Sequence, residues 1–260
     1  MRTLLTLCLL AFATFANAAP RADKVSWKDG GKDFDGYLVW DDATNAKRPG
    51  LLMVPNWWGV TPAAIAKAKT IASDDFVILL VDMYGREPRP TNADEAGKAA
   101  GRVFAAGDAP RTRSAAALEV LRRSAGKAPV DPDRIGAIGF CFGGAIVLEL
   151  LRSGAQLDGA ATFHASLDSP KPAKKGNIKT PLLVMNGAAD GFVSHESADA
   201  FQKEMADAGA DWQFVNFGGA KHCFAEPDEH GREPGCEFHA PSYWRSMAKM
   251  RVFFIEHFRK

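Results

Sequence analysis

The sequence predicts an α/β fold, a mainly parallel sheet covered on both faces by helices. Short unbroken apolar runs, among them Leu51–Pro55, Phe76–Val81 and Arg134–Ile138, recur along the chain. Strands buried on both faces read this way, without polar alternation. Between those runs lie amphipathic stretches of helix length, several opened by start signals such as Thr61-Pro62, Asn92 with Glu95, and Ser194. With 260 residues, 47% of them hydrophobic, the chain has enough apolar side chain for one large core. No repeat, low-complexity segment or linker divides it.

The elements follow in order. Lys24–Lys28 and Asp33–Trp40 alternate in strand fashion around Asp29-Gly30-Gly31 and predict a hairpin at a sheet edge. Leu51–Pro55 predicts a buried strand that runs into Asn56-Trp57-Trp58-Gly59, and Thr61-Pro62 opens a helix. Phe76–Val81 is a second buried strand, ending at Asp82-Met83-Tyr84-Gly85. Helices follow from Asn92 to about Ala106 and from about Arg111 to Ala125. Arg134–Ile138 is a strand, and Ala145–Leu151, apolar nearly all round, a buried helix. Asp158–Phe163 is a strand ending at His164. Thr180–Asn186 is another, followed by the turn Gly187-Ala188-Ala189-Asp190-Gly191 and a helix from Ser194 to about Ala208. Asp211–Phe217 is the last strand. A final helix starts near Ser242, with Trp244, Met247, Ala248, Phe254, Ile255 and Phe258 on one face.

Charge excludes some functions. Lys plus Arg number 32 and Asp plus Glu 31, with no basic stripe, so no nucleic-acid partner is expected. Arg2, the apolar stretch Leu4–Phe15 and Ala16-Asn17-Ala18 have the three parts of an export signal, so residues 1–18 are read as a signal peptide. The stretch is short for a membrane span, and an uncleaved anchor helix is the alternative reading. Residues 19–260 then form a single periplasmic or secreted domain with balanced charge. Three cysteines remain: Cys141, Cys223 and Cys236. An odd number in an exported chain leaves one thiol over. Cys223 and Cys236 flank a loop rich in Pro, Gly and charge and are the natural disulfide pair, which leaves Cys141 free.

Cys141 sits in Gly139-Phe140-Cys141-Phe142-Gly143-Gly144, between a strand and a helix. Gly-x-Cys-x-Gly in that setting is a nucleophile elbow with Cys in place of Ser. Flanking glycines remove the Cβ clashes of a tight turn, and the helix N-terminus favours a thiolate. The competing reading is a buried Cys in a Gly-rich packing turn. In an open parallel sheet, sites form at the C-terminal strand ends. Cys141, His164, Asp190 and His222 all fall at such ends. Cys141, Asp190 and His222 stand in the order nucleophile, acid, histidine, the chain order of the α/β-hydrolase triad. His222 would take the thiol proton and Asp190 would orient His222. Backbone N–H groups of Phe142 and Trp57 would form the oxyanion hole. His164 either meets substrate or is a core histidine. Of Trp57 and Trp58, adjacent and pointing apart, at most one faces the substrate. His195 reads as surface.

A rival constellation lies in the C-terminal loop, where His222, Cys223, His230, Cys236 and His239 offer zinc-ligand chemistry. Their spacing matches no common zinc pattern, so no metal and no cofactor is expected.

The motifs together resemble the dienelactone hydrolase family of the α/β-hydrolase superfamily. The resemblance rests on Trp57-Trp58-Gly59, Asp82–Gly85, Gly139–Gly144, Phe163-His164, the Asp190 turn, His222 with Phe224 and Pro227, and Tyr243-Trp244-Arg245-Ser246. It spans nearly all of the chain after about Lys32. It implies an α/β-hydrolase fold and cofactor-free hydrolysis of a small ester, lactone or thioester through a thioester acyl-enzyme, with Cys141 as nucleophile, Asp190 as acid and His222 as base. Two positions depart from the dienelactone-cleaving members: Asn56 stands where they carry Glu, and Glu226 where they carry a carboxylate-binding Arg. Asn56 cannot act as a base, and Glu226 would repel an anionic lactone, so dienelactone is not the expected substrate. Both, with His164, are candidates for the substrate pocket. A non-catalytic small-molecule-binding protein on the same fold is the alternative that Asn56 motivates.

Overall fold

The computed structural model describes residues 20–259 apart from 74, 230 and 232. The segment read above as a signal peptide and His230 lie outside the described residues. Eight strands form one sheet: β1 (Arg21–Asp29), β2 (Lys32–Trp40), β3 (Arg48–Val54), β4 (Val77–Leu80), β5 (Val130–Phe140), β6 (Gly159–Phe163), β7 (Leu182–Gly187) and β8 (Trp212–Phe217). Their spatial order is β1-β2-β4-β3-β5-β6-β7-β8. β1, β2 and β4 pair antiparallel, and every other pairing is parallel. The edge hairpin and the parallel body are both as the sequence pattern predicts.

Six helices cover the sheet: α1 (Pro62–Ala72), α2 (Ala93–Ala105), α3 (Ala109–Arg123), α4 (Phe142–Arg152), α5 (His195–Ala208) and α6 (Ala240–His257). Successive strand residues point to opposite faces, so the strands feed two cores. Leu52, Val54, Ala137 and Val184 pack under α2 to α5 through Val103, Leu121, Ile146 and Phe201. Leu51, Met53, Ile138 and Met185 pack under α1 and α6 through Ile71, Met250 and Phe254. The predicted caps form. Thr61 Oγ1 accepts from Ala64 N at 3.1 Å, Asn92 Oδ1 from Glu95 N at 3.0 Å, and Ser194 Oγ from Ser197 N at 3.1 Å.

α6 departs from expectation. It starts two residues earlier, and Trp244 and Ile255 are 66% and 53% exposed. Tyr243, Met250 and Phe253 join Met247, Phe254 and Phe258 in the core instead. Apolar residues occur on both sides of this helix, and the fit of three phenylalanines against the strands and α1 decides which side is buried. Among the described residues no helix is long and apolar enough to cross a membrane.

Register aligns the strand ends that matter. Val54 lies beside Gly139, Phe140 beside Phe163, Phe163 beside Met185, and Gly187 beside Phe217. The segments that follow, carrying Trp57, Cys141, His164, Asp190 and His222, therefore emerge along one edge.

Candidate active site

Cys141 turns the chain from β5 into α4 at φ 53°, ψ −120°. A non-glycine residue held there costs about 1–3 kcal/mol, offset only where the surroundings over-determine it. Here they do: Cys141 N donates to Phe163 O at 3.0 Å and Cys141 O accepts from Ala145 N at 3.2 Å. A Cβ on Gly139 would sit 2.3 Å from Gly143 O, and one on Gly143 only 2.1 Å from Val54 O, so both glycines are steric requirements. The turn leaves the thiol half-buried at the head of α4.

His222 Nε2 lies 3.1 Å from Cys141 Sγ, and its Nδ1 donates to Asp190 Oδ2 at 2.8 Å. Asp190 is fixed by its turn, where Oδ1 accepts from Phe192 N at 2.8 Å. The other side of His222 is held by the C-terminal loop. Its carbonyl accepts from Glu237 N at 2.9 Å, and it bridges in parallel to Cys236. Cys223 and Cys236 are disulfide-bonded, which leaves Cys141 as the free thiol among the described residues. The pairing also removes both sulfurs from the zinc set considered in that loop.

Burial alone would hold His222 neutral. The thiolate charge of Cys141, its hydrogen bond, and Asp190 outweigh that and push the imidazole up to about 10. The arrangement stabilises the imidazolium form of His222 beside the sulfur. Tyr84 is pushed up by burial first and by the charge on Cys141 next.

A cavity of about 380 Å³ opens onto the sulfur. Trp57, Phe104, Phe142, Phe192 and the Cys223–Cys236 disulfide form most of its wall, with Glu233 as the one carboxylate-bearing residue among the described residues. Phe142, at the start of α4, stacks on Tyr84 at 5.5 Å, and the Tyr84 hydroxyl donates to Trp57 O at 2.7 Å. Asp82 in turn anchors the Tyr84 segment, accepting from Tyr84 N, Gly85 N and Arg89 Nη1 at 2.8, 2.9 and 2.8 Å. One chain of contacts thus ties the loop after β3 to the head of α4.

Asn56 and Glu226 lie elsewhere. They line a second cavity of about 410 Å³ together with Trp58 and Lys67, while Trp57 faces the thiol, so the two tryptophans do diverge. Glu226 is buried and ion-paired to Lys67. Burial raises the Glu226 carboxyl, and the Lys67 ammonium opposes that. Asn56 Oδ1 accepts from Trp58 N at 3.1 Å, which shapes the loop. His164 is fully buried, with its ring 5.0 Å from that of His222, and burial holds it well below its ordinary value. His195 is exposed. Sequence reasoning missed Phe192, which is 62% exposed yet packs 5.0 Å from the His222 ring, and Lys67. The signal for Phe192 was its place two residues after Asp190. Lys67, on an amphipathic helix, gave none.

The profile of the dienelactone hydrolase family matches residues 34–258. A solved structure named m3DLH is 34% identical, with a TM-score of 0.82 over 92% of this chain and 98% of that one. A dienelactone hydrolase-like promiscuous phosphotriesterase, P91, from metagenomic libraries is 33% identical, with a TM-score of 0.81 over the same shares. A curated Bradyrhizobium protein bearing the name "Probable 2-oxo-3-(5-oxofuran-2-ylidene)propanoate lactonase" is 25% identical over 236 residues, 85% of this chain and 91% of that one.

Proposed function

The chain belongs to the dienelactone hydrolase family and is an ester-bond hydrolase, and we propose that it works through Cys141, His222 and Asp190 on small esters, lactones or thioesters with a neutral, apolar acyl group. The observation that carries this is the unbroken relay of 2.8 and 3.1 Å from Asp190 through His222 to Cys141. Cys141 Sγ attacks the carbonyl carbon. The developing oxyanion is met by the N–H of Phe142 and that of Trp57. The His222 imidazolium gives its Nε2 proton to the departing alkoxide, which leaves a thioester. Neutral His222 then takes a proton from water, the hydroxide attacks the thioester, and the thiolate returns as the acid leaves. Asp190 keeps Nδ1 protonated throughout.

Asn56 offers no base, and in this reading none is required, because His222 Nε2, 3.1 Å from Sγ, can take the thiol proton itself. The aromatic wall of the cavity suits an apolar or aryl group. Among the described residues no Lys or Arg lines it. Export is part of the proposal: the Cys223–Cys236 bond suits an oxidising compartment. The test is hydrolysis of a short-chain aryl ester by the wild type and Cys141→Ala. Turnover confined to the wild type is expected, and equal turnover overturns the proposal.

A further inference from the structure

His164 takes no part in the acyl transfer just described, yet it is placed with care. It follows β6 at φ 39°, its N–H donates to Met185 O at 2.8 Å, and its side chain is fully buried. Among the described residues neither ring nitrogen has a hydrogen-bond partner. An orphaned buried polar group costs about 1–3 kcal/mol, so a role that uses those nitrogens is worth seeking. One donor atom each from Cys141, His164 and His222 lie within 4.8 Å of one another.

We propose that Cys141, His164 and His222 form a binding site for one soft d¹⁰ cation of the Zn²⁺ class, and that its occupancy reversibly silences the thiol. Thiolate and imidazole are the donors such ions take. Ligating histidines almost always turn their other ring nitrogen to a carboxylate or carbonyl, and His222 is backed that way. Asp190 holds Nδ1 of His222 at 2.8 Å, and the Glu226 carboxylate stands 3.8 Å from Nε2 of His164, outside hydrogen-bond reach. Charge agrees as well. Lys67 balances Glu226, so a divalent ion meets two net negative charges, on Cys141 and Asp190.

Metal–ligand lengths of about 2.0–2.3 Å require donors to draw in to roughly 3.5 Å from one another. Sγ and Nε2 of His222 already stand 3.1 Å apart, so the adjustment falls on His164. Three protein ligands leave the fourth position open toward the 380 Å³ cavity. On binding, the cation replaces the proton shared by Sγ and Nε2, and that proton goes to solvent. Nothing is oxidised or reduced. A sulfur bound in this way cannot attack a carbonyl, so the consequence for activity rests on the proposed role of Cys141, whereas the site itself does not.

Co²⁺ added to the intact protein is the direct probe. A near-ultraviolet thiolate-to-cobalt absorption band should saturate at one equivalent, vanish with EDTA and be displaced by Zn²⁺. Zn²⁺ should also protect Cys141 from iodoacetamide. Cys141→Ser should lose the band. His164→Asn should weaken binding by more than the roughly 10–100-fold that loss of an outer partner costs. Because His164 is buried, Asp190→Asn is a second probe that keeps all three ligands and should weaken binding about 10–100-fold. The absence of a thiolate band in the wild type, or wild-type affinity in both variants, overturns the site. Cobalt binding without ester turnover would instead sink the proposed function and leave the site standing. Turnover without the band would do the reverse.

Discussion

Gly143→Ala perturbs the elbow without touching a functional side chain. Its new Cβ would lie 2.1 Å from Val54 O and 2.4 Å from Pro55 O, where real contacts stay beyond 3.0 Å, so α4 and the end of β3 must part by about 0.9 Å. The partners are backbone atoms of a buried strand and cannot rotate away. Phe142 precedes Gly143 and Trp57 follows Pro55, so the separation pulls the two proposed oxyanion donors apart. A misplacement near 1 Å costs roughly 10²-fold in rate, and overpacking should cost about 1–3 kcal/mol in stability. The assay is kcat/KM on a short-chain aryl ester, paired with the rate of Cys141 alkylation by iodoacetamide. Alkylation needs the thiolate but no oxyanion hole, so it should fall much less than turnover. Unchanged turnover, or an equal loss in both rates, would refute the reasoning.

Three further outcomes follow from the geometry. In the proposed mechanism the His222 imidazolium is the acid, and it is held to about 10, so kcat/KM should fall above pH 10. Asp190→Asn, which removes one group raising that value, should move the falling limb to lower pH. By the same sign, the stability His222 contributes is full below its ordinary 6.5 and is lost as pH rises through about 10. Replacing Cys223 and Cys236 by Ser opens a bridge spanning 13 positions, worth about 3 kcal/mol in the chain-entropy model. Denaturant midpoints should drop accordingly, and turnover with them, since the loop holds His222. Lys67→Met leaves Glu226 buried without its partner, a loss of about 3–5 kcal/mol at neutral pH. Urea melts at several pH values should show the deficit shrinking as Glu226 takes up a proton.

Much of this was legible in the sequence because its signals are local. Strand and helix order follows from apolar runs and caps, and the elbow from glycines on either side of Cys141. The disulfide follows from an odd cysteine count. Cys141, Asp190 and His222 could be placed at strand ends from their chain order, and they follow β5, β7 and β8. What stayed hidden depends on contacts between distant segments. Lys67 on α1 looks like a surface residue until Glu226 is folded against it. Asn56 and Glu226 looked like pocket residues, but the turn through Trp57 and Trp58 carries Asn56 into the neighbouring cavity, and Glu226 reaches the same cavity from the C-terminal loop through its pairing with Lys67. Phe192 is exposed, and only the return of the distant segment that carries His222 and Gly235 gives it neighbours. The buried side of α6 was misjudged because Trp244 and Tyr243 are equally apolar in sequence and differ only in which one meets the core.

The central claim is that Cys141 carries the acyl group. Intact-mass spectrometry after rapid acid quench of the enzyme with an aryl ester tests it most directly. The account predicts a mass gain equal to one acyl group, mapped to the peptide bearing Cys141, absent in Cys141→Ala and removed by hydroxylamine as a thioester would be. Ester turnover that persists in Cys141→Ala, or an acyl group mapped to another residue, would contradict it.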